Sequence, residues 1–115
     1  KEHPQSIDYT YALEHEGQLL GIGGFKMMTP TCAWCWFNLT PEAHDHMIFV
    51  FREIRTLLNS FLSNGTVTRL MAAVDSTFPE AIRTVEHLGF TKESTMKAFF
   101  GDIDAILYVK FAEKP

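Results

Sequence analysis

At 115 residues, 46% of them apolar and ten of them Phe, the chain is long enough to bury a core as a single domain over residues 1–115 and too apolar for intrinsic disorder. Its formal net charge of −4 excludes a general affinity for nucleic acid or anionic membranes, which needs clustered Lys and Arg. No apolar run approaches the ~20 residues that span a bilayer, so a soluble protein is expected; no secretory signal opens the chain, and with Lys1 in place of an initiator Met it reads as trimmed from something longer.

Residues 7–16 (Ile-Asp-Tyr-Thr-Tyr-Ala-Leu-Glu-His-Glu) are rich in β-formers with partial alternation and predict a strand, closed by a turn at Gly17. Residues 18–28 predict a second strand. Gly21, Gly23 and Gly24 interrupt it, as a bulge or a close backbone approach requires. Thr29-Pro30-Thr31 breaks the run. Residues 32–39 (Cys-Ala-Trp-Cys-Trp-Phe-Asn-Leu) are nearly all apolar, the pattern of a strand buried on both faces in mid-sheet.

A long helix is then expected, with Thr40 as N-cap, Pro41 at the first helical position and Glu42 in the first turn. Met47, Val50, Phe51, Ile54, Leu57, Leu58, Phe61 and Leu62 form one apolar stripe at helical spacing. Arg52, Glu53, Arg55 and Asn59 fall largely off that stripe, and Asn64-Gly65 ends the helix. Residues 69–74 (Arg-Leu-Met-Ala-Ala-Val) predict a short buried strand. Pro79 starts a second helix that runs to Leu88, where Gly89 stops it. Residues 91–100 and 105–111 predict two strands joined by a hairpin turn at residues 101–104. The order β-β-β-α-β-α-β-β implies one α+β domain, α/β-like, around a central mixed sheet flanked by helices.

Three side-chain patterns call for a bland reading. Cys32 and Cys35 lack the second Cys pair of a zinc site and the helix start of a redox motif. As strand residues three apart they point to opposite faces, so two buried structural thiols are expected, reduced as in a cytosol. His44-Asp45-His46 offers no third ligand on a shared face, so no metal site is expected there. Trp34, Trp36, Phe37, Phe49, Phe51, Phe61, Phe99 and Phe100 lack a basic surround, so they are expected in the core, with Trp34 as a possible interface residue.

The element order, with residues 74–90 (Val-Asp-Ser-Thr-Phe-Pro-Glu-Ala-Ile-Arg-Thr-Val-Glu-His-Leu-Gly-Phe), resembles the GNAT superfamily of acyl-CoA-dependent N-acetyltransferases. Such domains carry Ala, Ile-Arg and Glu at these places of a helix closing on Leu-Gly-Phe. Gly89 would end that helix in the left-handed region and Phe90 would pack on the core. The likeness covers nearly the whole chain, and the family's first strand and helices are expected to be missing before Lys1. A narrower likeness joins Leu20-Gly21-Ile22-Gly23-Gly24, Cys35-Trp36-Phe37 and Thr40 to a GNAT-like group in short-tailed phages, described as internal virion proteins or phage acetyltransferases.

The resemblance implies acetyl-CoA as cofactor, lying between the third and fourth strands with backbone groups of Phe37, Asn38 and Leu39 pairing with the pantetheine. It places the pyrophosphate loop, Arg/Gln-x-x-Gly-x-Gly/Ala, on residues 40–49, with His44, Asp45, His46 and Met47 at the cofactor and Ser76 beside it. His44 takes the basic position, while Met47 and Phe49 replace the glycines. Pro41 removes one backbone donor, and Glu42 and Asp45 put carboxylates where a phosphate would sit. The family's Tyr general acid falls on Val85 and its Asn on Phe78. Asp75 is the first candidate base, with Glu14, His15 and Glu16 as others. Two functions follow as expectations: an acetyl-CoA-dependent N-acetyltransferase acting on an unspecified amine, or a non-catalytic GNAT-scaffold protein with a protein partner in a virion or host. Either would work in the cytoplasm, or in the virion if phage-encoded.

Overall fold

The computed structural model describes residues 8–113. Six strands form one mixed sheet: β1 (Asp8–His15), β2 (Gln18–Thr29), β3 (Cys32–Leu39), β4 (Arg69–Asp75), β5 (Thr91–Phe100) and β6 (Ile103–Phe111). Their order across the sheet is β1-β2-β3-β4-β6-β5. Only β3 and β4 run parallel; the other pairs are antiparallel. The expected element order is observed, with Ile7 of the first predicted strand lying outside the described residues. Glu16 leaves that strand for the turn, where it and Gly17 adopt φ values of 51° and 81°, the left-handed pair of a tight hairpin.

Two helices, α1 (Met47–Ser63) and α2 (Pro79–His87), cover one face of this sheet. The alternation of buried residues fixes which face. Leu70, Ala72 and Val74 on β4 are buried, and Leu70 pairs with Ala33 on β3, whose neighbour on that face is Cys35. From α1, Val50, Ile54, Leu58 and Leu62 pack on the same face. The Phe61 ring stacks on Phe25 at 3.9 Å between centroids. From α2, Glu86 accepts a hydrogen bond of 2.8 Å from the hydroxyl of Tyr108, a buried β6 residue paired with Ala72. Burial and that bond push the Tyr108 hydroxyl up to about 12, so it stays protonated as a clamp between helix and sheet.

The glycines of β2 answer the choice between bulge and close approach with both. Leu20 is the extra residue where the β1–β2 register slips between Leu13 and Glu14. A Cβ on Gly23 would sit 2.5 Å from the Phe37 ring, and one on Gly24 would sit 2.4 Å from the Tyr9 carbonyl. Both strands that flank β2 therefore lean on it too closely for a side chain.

Four expectations are corrected. First, β3 is central but not buried on both faces: Ala33 and Cys35 are buried, while Trp36, Asn38 and Leu39 are exposed. Second, no continuous helix runs from Thr40. A 3-10 helix (Pro41–His46) comes first and α1 starts only at Met47. Thr40 does not cap it, because its hydroxyl donates back to the Leu19 and Leu20 carbonyls at 3.1 and 3.2 Å. Third, the β5–β6 turn is shorter than residues 101–104, since Phe100 already pairs with Ile103. Fourth, Phe99 and Phe100 are not core. The register slips between Met96 and Phe100, Ala98 takes φ 52°, and the two rings meet edge-on at 5.0 Å, 49% and 43% exposed. Trp36 is 39% exposed as well.

Candidate active site

The parallel pair β3–β4 is held together over three residues only, Cys32 to Trp34 against Arg69 to Met71. Beyond Trp34 the two strands part. Every second residue of β3 past that point turns its N–H and C=O toward the gap, where β4 offers no ladder partner. Free backbone donors and acceptors in a cleft are expensive unless a ligand completes them.

The gap is a cleft of about 920 Å³. Its lining includes β3 and β4 residues of both alternations: Cys35, Phe37 and Leu39 of the helix-covered face, but also Trp36, Asn38, Ala73 and Asp75 of the other. The backbone of both strands therefore borders the cleft. At the helix-covered mouth the walls are the 3-10 helix, with Pro41 and His44, and α2, with Glu80, Arg83, Thr84 and His87. A floor of Cys35, Ile54, Ala72, Val74 and Leu88 keeps the middle apolar. Burial pushes the Cys35 thiol up to about 12, which makes it a neutral wall group rather than a nucleophile. Cys32, expected to be buried with it, is only half-buried on the other alternation, with its Sγ 3.8 Å from the Met71 sulfur.

The residues singled out in the sequence divide around this cleft. Phe37, Asn38, Leu39, His44, Met47, Asp75, Phe78 and Val85 line it. Asp45, His46 and Ser76 do not. His46 instead faces the ring of His15 at 5.2 Å, and His15 packs on Phe49 at 4.4 Å. Glu14 lines a separate cavity of about 670 Å³ between β1 and α1, and Glu16 sits in the β1–β2 turn. The Ser76 N–H donates to the Asp104 carbonyl at 3.0 Å, tying the end of β4 to the β5–β6 hairpin.

Asp75 stands at the cleft but its carboxylate is engaged. Oδ1 accepts from the Thr77 hydroxyl at 2.6 Å and from the Thr77 N–H at 2.7 Å, and these bonds hold the carboxyl below its ordinary range. An anion so satisfied is a weak proton acceptor. Its visible task is to shape the turn into α2. The other end of α2 behaves as its sequence predicts: Gly89 has φ 96°, the Phe90 N–H donates to the Val85 carbonyl at 3.0 Å, and Phe90 is buried.

The start of the other wall is poor in donors. Pro41 has no N–H, and the Ala43 N–H is spent on the Thr40 carbonyl at 3.1 Å. Neither Thr40 nor His46 caps the turn behind it with a side chain. Glu80, Arg83, Thr84 and His87 of α2 are among the lining residues that sequence reading did not assign to the site; their spacing along one helix face was the available signal.

Solved structures share this architecture. A spermidine/spermine N-acetyltransferase from Vibrio cholerae superposes with a TM-score of 0.79 at 18% identity, over 91% of this chain and 67% of its own. A ribosomal alpha-N-protein acetyltransferase, RimL, in complex with coenzyme A, gives 0.78 at 17% identity, over 90% and 62%. A GNAT-family acetyltransferase from Bacillus anthracis gives 0.77 at 16% identity, over 93% and 67%. The chain thus spans about two thirds of the length of these proteins. No protein-family model and no curated protein sequence matches it. The fold is the GNAT acyl-CoA N-acyltransferase fold.

Proposed function

We propose that this GNAT-fold chain binds an acyl-CoA, acetyl-CoA first among them, in the β3–β4 cleft and catalyses acyl transfer to an amine by positioning. The observation that carries the reading is the cleft itself: a gap of about 920 Å³ where β3 has no ladder partner on β4. That volume matches cofactor-sized sites, which run to roughly 300–1,000 Å³.

The residues fit the cofactor unequally. The stretch Phe37–Asn38–Leu39, laddered to β2 but not to β4, can hold the amide-rich pantetheine arm as an added strand, with the apolar floor beneath it. The residues of the 3-10 helix cannot form a glycine cradle for the pyrophosphate. When bound, the cofactor supplies an activated acyl thioester. The chain's part would be to hold that thioester in the gap with a face of its carbonyl open to the amine. Transfer would add the nitrogen to that carbonyl carbon and then break the C–S bond, with the sulfur leaving as thiolate. Val85 and Phe78 offer that sulfur no proton, and Asp75 is a weak acceptor for the amine's, so both protons pass to and from water. Orientation alone contributes substantially to such a bimolecular step, and a thiolate leaves without protonation.

A calorimetric titration with acetyl-CoA, paired with thiol release in the presence of an amine panel, tests this. Micromolar binding with amine-dependent release supports it. The absence of any heat or thermal stabilisation at millimolar ligand contradicts it.

A second reading has its own support. Met47, Phe49, Phe78 and Val85 occupy the places of catalytic and phosphate-binding elements, and Trp36, Phe99 and Phe100 are exposed. A GNAT scaffold kept for protein binding, as a phage virion component or host-interaction factor, would have these features. Its glycine-rich β2, shared with the phage group, is accounted for by packing against Phe37 and Tyr9. Acetyl-CoA binding without amine-dependent turnover would favour it.

A further inference from the structure

An acyl-CoA ends in phosphates, and the wall expected to hold them has few groups to offer. The 3-10 helix contributes a proline, one N–H already bonded, and the Glu42 carboxylate. The opposite wall differs. Arg83 and His87 lie four residues apart on α2, so they share a helix face, and both line the cleft mouth. His44 lines the same mouth from the 3-10 helix. These three are the cationic or imidazole side chains of the lining; no Lys is among them.

Arg83 is the arginine of the cleft lining, and like Arg52 on α1 it is unengaged. Arg69 is in an ion pair with Glu93, and Arg55 donates to the His87 carbonyl at 3.3 Å. Arg83 is exposed and makes no side-chain hydrogen bond or ion pair among the described residues. His87 is fixed from behind: its ring packs on Phe51 at 4.7 Å, and Arg55 holds its carbonyl. A free guanidinium beside an anchored imidazole, at the mouth of a cofactor-sized cleft, suits bidentate capture of a phosphate. Glu80 and Asp75 also line the cleft. Glu80 is one turn before Arg83 on the same face of α2, on the side away from His87, and Asp75 at the strand end is already engaged by Thr77.

We propose that Arg83, with His87 one turn along α2 and His44 across the mouth, forms an anion subsite for the phosphates of a nucleotide-bearing acyl carrier, replacing a backbone cradle at the start of α1. It rests on acyl-CoA binding in the cleft. On this reading phosphate recognition rests on side chains of α2 and the 3-10 helix rather than on N–H groups.

Titration calorimetry of the whole chain with coenzyme A, dephospho-coenzyme A and pantetheine tests the subsite, using Arg83→Ala, Arg83→Lys and His87→Ala beside the parent. Arg83→Ala is expected to weaken coenzyme A at least about tenfold, the worth of a charged hydrogen bond, and to leave pantetheine within about twofold of the parent. Arg83→Lys should lose part of that, because a point charge replaces a fork. The dephospho form tells which phosphate is held: equal losses for both nucleotides point to the pyrophosphate, a smaller loss for the dephospho form to the 3′-phosphate. Parent-like coenzyme A binding by Arg83→Ala overturns the subsite and leaves the cleft reading standing. Equal loss of coenzyme A and pantetheine overturns it too, since that is a packing effect. Failure of the parent to bind either one overturns both readings.

Discussion

The two walls of the cleft are built to different standards. On the α2 side the start of the helix also lacks a side-chain cap, but its end is specified: a left-handed Gly89 ends the helix, Phe90 is buried behind it, Tyr108 clamps Glu86, and Lys110 donates to the Leu88 carbonyl at 3.2 Å. On the other side β3 runs out exposed into an uncapped 3-10 helix, and a further helix start follows without a side-chain cap. The wall that carries the fold's packing is intact. The start of α1, with Met47 at the cleft, holds no glycine. Packing and ligand chemistry can therefore be retained or altered separately within one cleft.

Substitutions can break that contrast. The largest effect is expected from Phe90→Ala, which empties a buried site and should cost about 3–5 kcal/mol in urea or thermal unfolding. Met47→Ala, at a half-buried position on the other wall, should cost less than half as much. Equal losses would refute the difference between the walls. Gly23→Ala comes next. Its new methyl meets the Phe37 ring and the Trp36 carbonyl, so about 1–3 kcal/mol of overpacking is expected, along with weaker acetyl-CoA binding, because Phe37 lines the cleft. Tyr108→Phe should cost about 1 kcal/mol by removing the clamp to Glu86, and acetyl-CoA affinity should not change.

The smallest effect is on pH dependence. Hydrogen bonds from Thr77, Arg69 and the Ala98 N–H hold Asp75, Glu93 and Asp104 below their ordinary ranges. A lowered carboxylate contributes stability that is fully present above its unfolded value, ~4 for these groups, and is lost as pH falls through the folded one. The unfolding midpoint should therefore drop on acidification below that range. Asp75→Asn should show a shallower drop in the same scan.

What was legible in the sequence follows the same division. Residues 74–90 announce their structure because local chemistry decides it: Pro79 opens the helix, Gly89 closes it, and Phe90 follows. The β2 glycines were legible as a packing demand, though not which neighbours made it. The 3-10 turn was not legible, because Thr40 and Pro41 are equally good signals for an α-helix; the tie of the Thr40 hydroxyl to β2 decides otherwise. Nor was the exposure of Phe99 and Phe100, which depends on a register slip and on Ala98 in the left-handed region. The cleft lies between strands far apart in sequence, so Arg83 and His87 were visible as a helical pair without a destination. Asp75 was placed correctly at the strand end, but its bonds to Thr77 change what it can do.

The central claim is that the gap between β3 and β4 receives an acyl-CoA as an added strand. Hydrogen–deuterium exchange of backbone amides, with and without saturating acetyl-CoA, tests it most directly. Protection should rise on residues 36–39 and along the facing stretch 72–75, and remain unchanged on the distant β1–β2 hairpin. Unchanged exchange at 36–39, with protein and ligand both at millimolar concentration, would contradict it.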